Sequence, residues 1–298
     1  MPIRSSLFLR PNWSILLCLV ALACVGSAPL GANSLPRLIT LAPHLTELSF
    51  EAGADVHLVG VVAFSDYPEK AQSLPRIGDA FQFDFERIVS LKPSHALAWV
   101  GGTPQRVTQQ LTQLGIEVVW IETETLAQIA DAILTIATIA GDQTIADENV
   151  EKFQQQIGRW QAQSKTVASD QRQRIFYQIS AQPLYTFGAG HVINEVFDVC
   201  GAENIFKDIS TEAFVVDIES VIDRSPDWIL VGTDAQQPNS NKKALPVVHE
   251  ALSELNASIH AVDANALVRP TTRIVQGINA LCALTLNARA QSASPTQE

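Results

Sequence analysis

The chain has 298 residues, with 31 acidic against 20 basic side chains and a formal charge of −11. A hydrophobic share of 47% with 17% charged residues is enough to build packed cores and excludes a wholly disordered chain. No block of lysine and arginine is present, and phosphate neutralisation needs one, so nucleic-acid binding is excluded too.

Residues 1–32 read as a targeting segment. Arg4 and Arg10 precede an apolar run at 15–25, which is too short to span about 30 Å of hydrocarbon. Small residues follow at Gly26, Ser27, Ala28, Gly31 and Ala32. The expectation is export to the periplasm. An uncleaved anchor helix is the alternative, and Cys24 leaves a lipid-bearing N-terminus open.

Beyond the segment, apolar runs at 38–41 and 59–62 read as strands. Between them Pro43 opens a helical stretch over 46–52 that ends at Gly53. Asp84 is placed to cap a helix whose apolar residues Phe85, Ile88, Val89 and Leu91 share a face, and Lys92-Pro93 stops it. Strands at 96–100 and 117–121 follow, separated by the turn Gly101-Gly102 and a helix over 107–114. Residues 125–140 predict an apolar helix broken at Gly141, and 144–165 a polar one about 33 Å long. The alternation then returns, with strands at 175–179, 228–231 and 258–262 and helices at 192–199, 217–224 and 247–255. Strands alternating with crossover helices imply an α/β fold with parallel sheets covered on both faces.

The chain also repeats itself. Asp84-Phe85-Glu86-Arg87-Ile88-Val89, with Pro93 and Leu97 beyond, recurs as Asp217-Ile218-Glu219-Ser220-Val221-Ile222 with Pro226 and Leu230. Leu111 to Gly115 recurs as Leu252 to Asn256, and Glu47-Leu48 with Gly53-Ala54 as Glu195-Val196 with Gly201-Ala202. Three blocks in the same order predict two related lobes. Their bounds are 33–141 and 166–298, with a rigid linking helix at 142–165 and a ligand cleft at the strands' carboxyl ends.

Export leaves the mature chain with Cys200 and Cys282, since Cys18 and Cys24 fall in the targeting segment. In an oxidising compartment they most simply form one disulfide; two separate buried thiols are the alternative. No CxxC, HExxH, GxSxG or P-loop occurs, and the six histidines have no helical pair spacing, so neither metal nor catalytic residues are expected. Gly188-Ala189-Gly190 lacks the third glycine of a dinucleotide loop.

From about Pro36 to Ala288 the chain resembles the periplasmic substrate-binding proteins of ABC importers, in the siderophore and cobalamin branch with a rigid linking helix. The residues that carry the likeness are Arg37 to Leu41 with Pro43 and Thr46-Glu47, Ser65-Asp66-Tyr67-Pro68, Phe85 to Pro93 and Ala98-Trp99 with Gly101-Gly102. In the second lobe they are Val199 to Phe206, Arg224-Ser225-Pro226 and Leu281-Cys282. The resemblance implies a binding protein, not an enzyme, that captures cobalamin as a transported ligand rather than a cofactor. A ferric siderophore or haem is the alternative cargo. It implies a corrin ring held against Phe64 and Trp99, the former standing where that branch has a tyrosine, and against the loop Asn265, Ala266, Leu267, Val268 and Arg269. The aromatic pair of that loop is replaced here by Ala266 and Leu267. It further implies that Glu86 and Glu219 dock a monomer onto the permease dimer of an ABC transporter with its ATPase subunits.

Overall fold

A computed structural model of the chain describes residues 35–79, 82–140, 143–233 and 248–293. The targeting segment with Cys18 and Cys24, the break at Gly141 and the start of the 247–255 stretch lie outside them. Among the described residues no helix is long and apolar enough to cross a membrane.

In the first half, β1 (Leu38–Thr40), β2 (Leu58–Val61), β3 (His95–Trp99) and β4 (Glu117–Ile121) form one parallel sheet in the order β2-β1-β3-β4. Helices α1 (Pro43–Glu51), α2 (Phe85–Leu91) and α3 (Gln105–Gln113) make the crossovers. Two longer helices follow, α4 (Leu126–Ala140) and the 21-residue α5 (Thr144–Ser164). The second half contains β5 (Gln173–Gln178), β6 (Ser180–Ala181), β7 (Leu184–Phe187), α6 (Ile193–Val199), β8 (Ala202–Asn204), β9 (Ala213–Val215), α7 (Ile218–Asp223), β10 (Trp228–Thr233), β11 (Ser258–Asp263), α8 (Ala264–Leu267) and α9 (Ile274–Ala293). Its parallel sheet runs β8-β5-β10-β11, the same order as the first when strands are matched by position. The internal repeat is therefore a repeat of topology.

Local chemistry explains why the repeat blocks look alike. Asp84 and Asp217 each sit just before a helix and accept from the backbone N–H three residues on, at Arg87 and Ser220. Gly53 and Gly201 each follow a helix with φ near +66°, the left-handed end that a β-carbon disfavours.

Three cores hold the fold. A shared one runs under both halves and joins Leu45 and Leu48 of α1 and Ile129, Ile133 and Ile136 of α4 to Ile193 and Phe197 of α6 and to Ile278 and Leu281 of α9. The stripe Ala146, Val150, Phe153 and Ile157 fastens α5 into it at helical spacing. The opposite face of the first sheet is covered by Ile39, Ile77, Ile88 and Leu111, and that of the second by Phe176, Phe206, Val221 and Ile229. Each sheet is thus covered on both sides.

Several features differ from the sequence reading, among them the short parallel strand β8, which no predicted strand covers. Within 247–255 the described residues form only a short 3-10 turn, Glu250–Glu254. His249 is extended and gives its N–H to the Gln178 side chain, so no helix can pass through it. An antiparallel sheet, β6-β7-β9, also stands beside the second parallel sheet. The predicted disulfide joins Cys200, at the end of α6, to Cys282 in α9, with Cα atoms 4.5 Å apart.

Candidate ligand-binding cleft

Strand order 2-1-3-4 reverses direction between β1 and β3, and open sheets of this kind bind ligands outside the carboxyl ends at such a point. A crevice of about 140 Å³ opens there, between the two halves. The first half contributes Trp99, Thr123 and Glu124, at or just after strand ends, and His44 in the first turn of α1. The second contributes Gly190, His191 and Val192 ahead of α6, Glu212 ahead of β9, and Val268 and Pro270 after α8.

Trp99 shapes one wall. A β-carbon on Gly101 would lie 2.6 Å from the indole and one on Gly102 2.4 Å, so the ring rests on the bare backbone of its own turn. The indole thus covers the backbone of that turn. His44 meets the ring edge-on at 5.1 Å. Three buried polar atoms of the crevice residues have no partner: His44 Nε2, Trp99 Nε1 and Thr123 Oγ1. Each such orphan costs about 1–3 kcal/mol, and a native fold that retains them needs a reason.

The electrostatics are those of an acid-edged slot. Burial, then the nearby Arg269 charge, brings His44 down to about 3, so its imidazole is neutral at physiological pH. His191 is also brought down to about 3 by burial, against a hydrogen bond to the Val268 backbone. Its ring stacks on Phe187 at 3.9 Å and its Nδ1 accepts from the Ile193 N–H. Burial raises the Glu212 carboxyl, and the Glu124 charge across the crevice raises it further. The lining contains no lysine or arginine.

Phe64 is not part of this lining. It stands on the loop after β2, 75% exposed and with φ 62°, a conformation uncommon for a bulky residue. The loop is held beneath it: Ser65 Oγ lies 2.9 Å from Thr46 Oγ1, and Arg76 donates to the Ser65 carbonyl. A strained backbone therefore presents an aromatic ring to solvent.

Residues 265–269 divide. Asp263 caps α8 by accepting from the N–H groups of Asn265 and Ala266. Ala266 and Leu267 are buried under α9, where a β-carbon on Gly277 would come within 2.5 Å of the Ala266 carbonyl. Val268 lines the crevice. Arg269 is engaged elsewhere, donating from Nη1 to Glu47 at 2.7 Å and to Asp66 at 3.3 Å. Arg273 joins them with a two-point grip on Glu47 at 2.7 and 2.8 Å, its guanidinium 4.1 Å over Tyr67. Glu47, Arg269 and Arg273 thus bind the halves to one another. In the other direction, Glu195 of α6 accepts from the Leu126 N–H at the start of α4, at 2.7 Å.

Sequence reasoning missed His44, His191, Glu124, Glu212 and Arg273. His44 and His191 carried a usable signal, since His44 lies in the first turn of the helix after β1 and His191 in the loop between β7 and α6. Glu86 and Glu219 are both exposed in the first turns of α2 and α7, and neither forms an ion pair among the described residues. Gly188 and its neighbours are no nucleotide loop: a β-carbon at Gly188 would strike the Thr211 and Ile209 carbonyls, which pack against it.

Comparison with known proteins agrees with this geometry. The family model described as periplasmic binding protein matches residues 38–262. A vitamin B12-binding protein of Vibrio cholerae is 34% identical over 246 residues, covering 83% of this chain and 87% of that one. One from Salmonella typhimurium is 36% identical over 207 residues, covering 70% and 76%. The solved periplasmic vitamin B12 binding protein of Vibrio cholerae superposes with a TM-score of 0.73 at 32% identity, covering 85% of this chain and 97% of that one. A periplasmic haem binding protein from Pseudomonas aeruginosa shares the fold, with a TM-score of 0.71 at 20% identity over 84% and 92%. The chain belongs to the periplasmic binding protein family.

Proposed function

We propose that the protein captures cobalamin in the periplasm and delivers it to the permease of an ABC transporter, without catalysis. The observation that carries this reading is the crevice between the halves, with an indole wall and buried polar atoms left without partners. The vitamin B12-binding relatives support the choice of cargo. Titration of the purified protein with cyanocobalamin in a calorimeter should show one site per chain. Trp99→Ala should weaken it by about 1–3 kcal/mol, the range for a buried aromatic anchor. No heat with cyanocobalamin, together with tight binding of haem or a ferric siderophore, would move the function to iron uptake.

Delivery is assigned to Glu86 and Glu219. Their support is their equivalent, exposed places on α2 and α7, one in each half, which suit a partner with two-fold symmetry. Changing both to lysine should leave cobalamin affinity within a few-fold and abolish most uptake into vesicles containing the importer. Undiminished uptake by the folded double variant would reduce the two acids to helix-terminal charges, worth about 0.3–1 kcal/mol each.

A further inference from the structure

We infer that the crevice selects a ring edged with neutral carboxamides over one edged with carboxylates, and that Glu124 and Glu212 are the residues that discriminate. The inference rests on the proposed corrinoid function and adds to it a rule for the ligand's periphery.

The two acids come from opposite halves and line the same crevice, where no cation accompanies them. The nearby guanidinium of Arg269 is already spent on Glu47 and Asp66. A carboxylate can only accept, so each acid favours a ligand group that donates. In the same lining, His44 Nε2 and Thr123 Oγ1 are unpartnered among the described residues, on side chains of residues 6% and 2% exposed. A primary amide supplies both functions, with N–H groups for the acids and for an accepting imidazole and a carbonyl for the threonine hydroxyl. Corrin rings of the cobalamin kind carry acetamide and propionamide arms. Haem carries propionates, and ferric catecholates are anions. A carboxylate-edged ring entering this slot would bring like charge against Glu124 and Glu212 and leave both without donors. Sites built to hydrogen-bond one functional group reject its mispaired analogue strongly. The mutual influence of the two acids agrees: the Glu124 charge raises the Glu212 carboxyl, so a third anion would meet an already crowded field.

The test compares two corrinoids that share a ring. Dicyanocobinamide is amide-edged and dicyanocobyrinic acid is carboxylate-edged, and both are followed by visible absorption during titration. The unaltered protein should prefer the amide form by at least about 100-fold. In Glu124→Gln/Glu212→Gln the two affinities should move in opposite directions, the amide form weakening a few-fold and the carboxylate form gaining. Glu124→Gln alone, at an exposed position, provides the same readout in smaller measure should the double variant fold poorly. Cobinamide bound tightly, with cobyrinic acid within tenfold or the ratio unmoved by the substitutions, overturns the inference and leaves the cobalamin reading standing. If neither corrinoid binds the unaltered protein, the cobalamin reading falls and this inference with it.

Discussion

Glu47→Gln should lower the unfolding free energy by about 3–5 kcal/mol, the usual cost of removing one partner from a buried ion pair. Glu47 is 2% exposed and Arg273 7%, and the substitution leaves two guanidinium groups facing one neutral amide. Glutamine keeps the shape and one acceptor, so the loss reports charge rather than packing. The check is denaturant unfolding, with the midpoint falling at constant slope. Replacing Glu47, Arg269 and Arg273 together by apolar residues of similar volume should return much of the loss, since the uncompensated charges leave with their partner. A loss below about 1 kcal/mol, the worth of an exposed pair, would show that water reaches the cluster.

Reduction of Cys200–Cys282 is expected to cost about 2–5 kcal/mol, in line with a bridge closing a separation of 82 residues. Both sulfurs are bonded to one another, so an alkylating reagent should label nothing in the oxidised mature chain, even in denaturant, and both cysteines once reductant is added. Ligand binding should survive reduction at moderate temperature, because the bridge ties α6 to α9 and neither cysteine lines the crevice. Alkylation of either thiol in the oxidised protein under denaturant would contradict the pairing.

β8, three residues long, escaped the reading; the other parallel strands were legible as apolar runs, and the sequence range 117–121 is β4 itself. The small antiparallel sheet was not. Its strands are two to four residues long, too short for alternation to register. The 247–255 stretch failed for another reason. Its likeness to 107–114 is a likeness of apolar spacing, while the deciding contact is the hydrogen bond that the His249 N–H gives to the Gln178 side chain. Of the cleft, Trp99 and Val268 could be reached through the resemblance. Glu124 and Glu212 could not, since an acid after a strand is an ordinary solvated residue until the opposite half supplies its counterpart.

Glu47 and Glu195 occupy matched points in the two repeats, and each takes hold of the opposite half, one at a pair of guanidinium groups and the other at a helix start. Duplication of one glutamate has produced two fasteners that act in parallel. Spreading the halves must stretch both at once, so the clamp's stiffness is set at its jaws as well as along the shaft of α5. Softening either fastener alone would leave the other to keep the halves in register, and the compliance of the cleft can be tuned at two separate places in the chain.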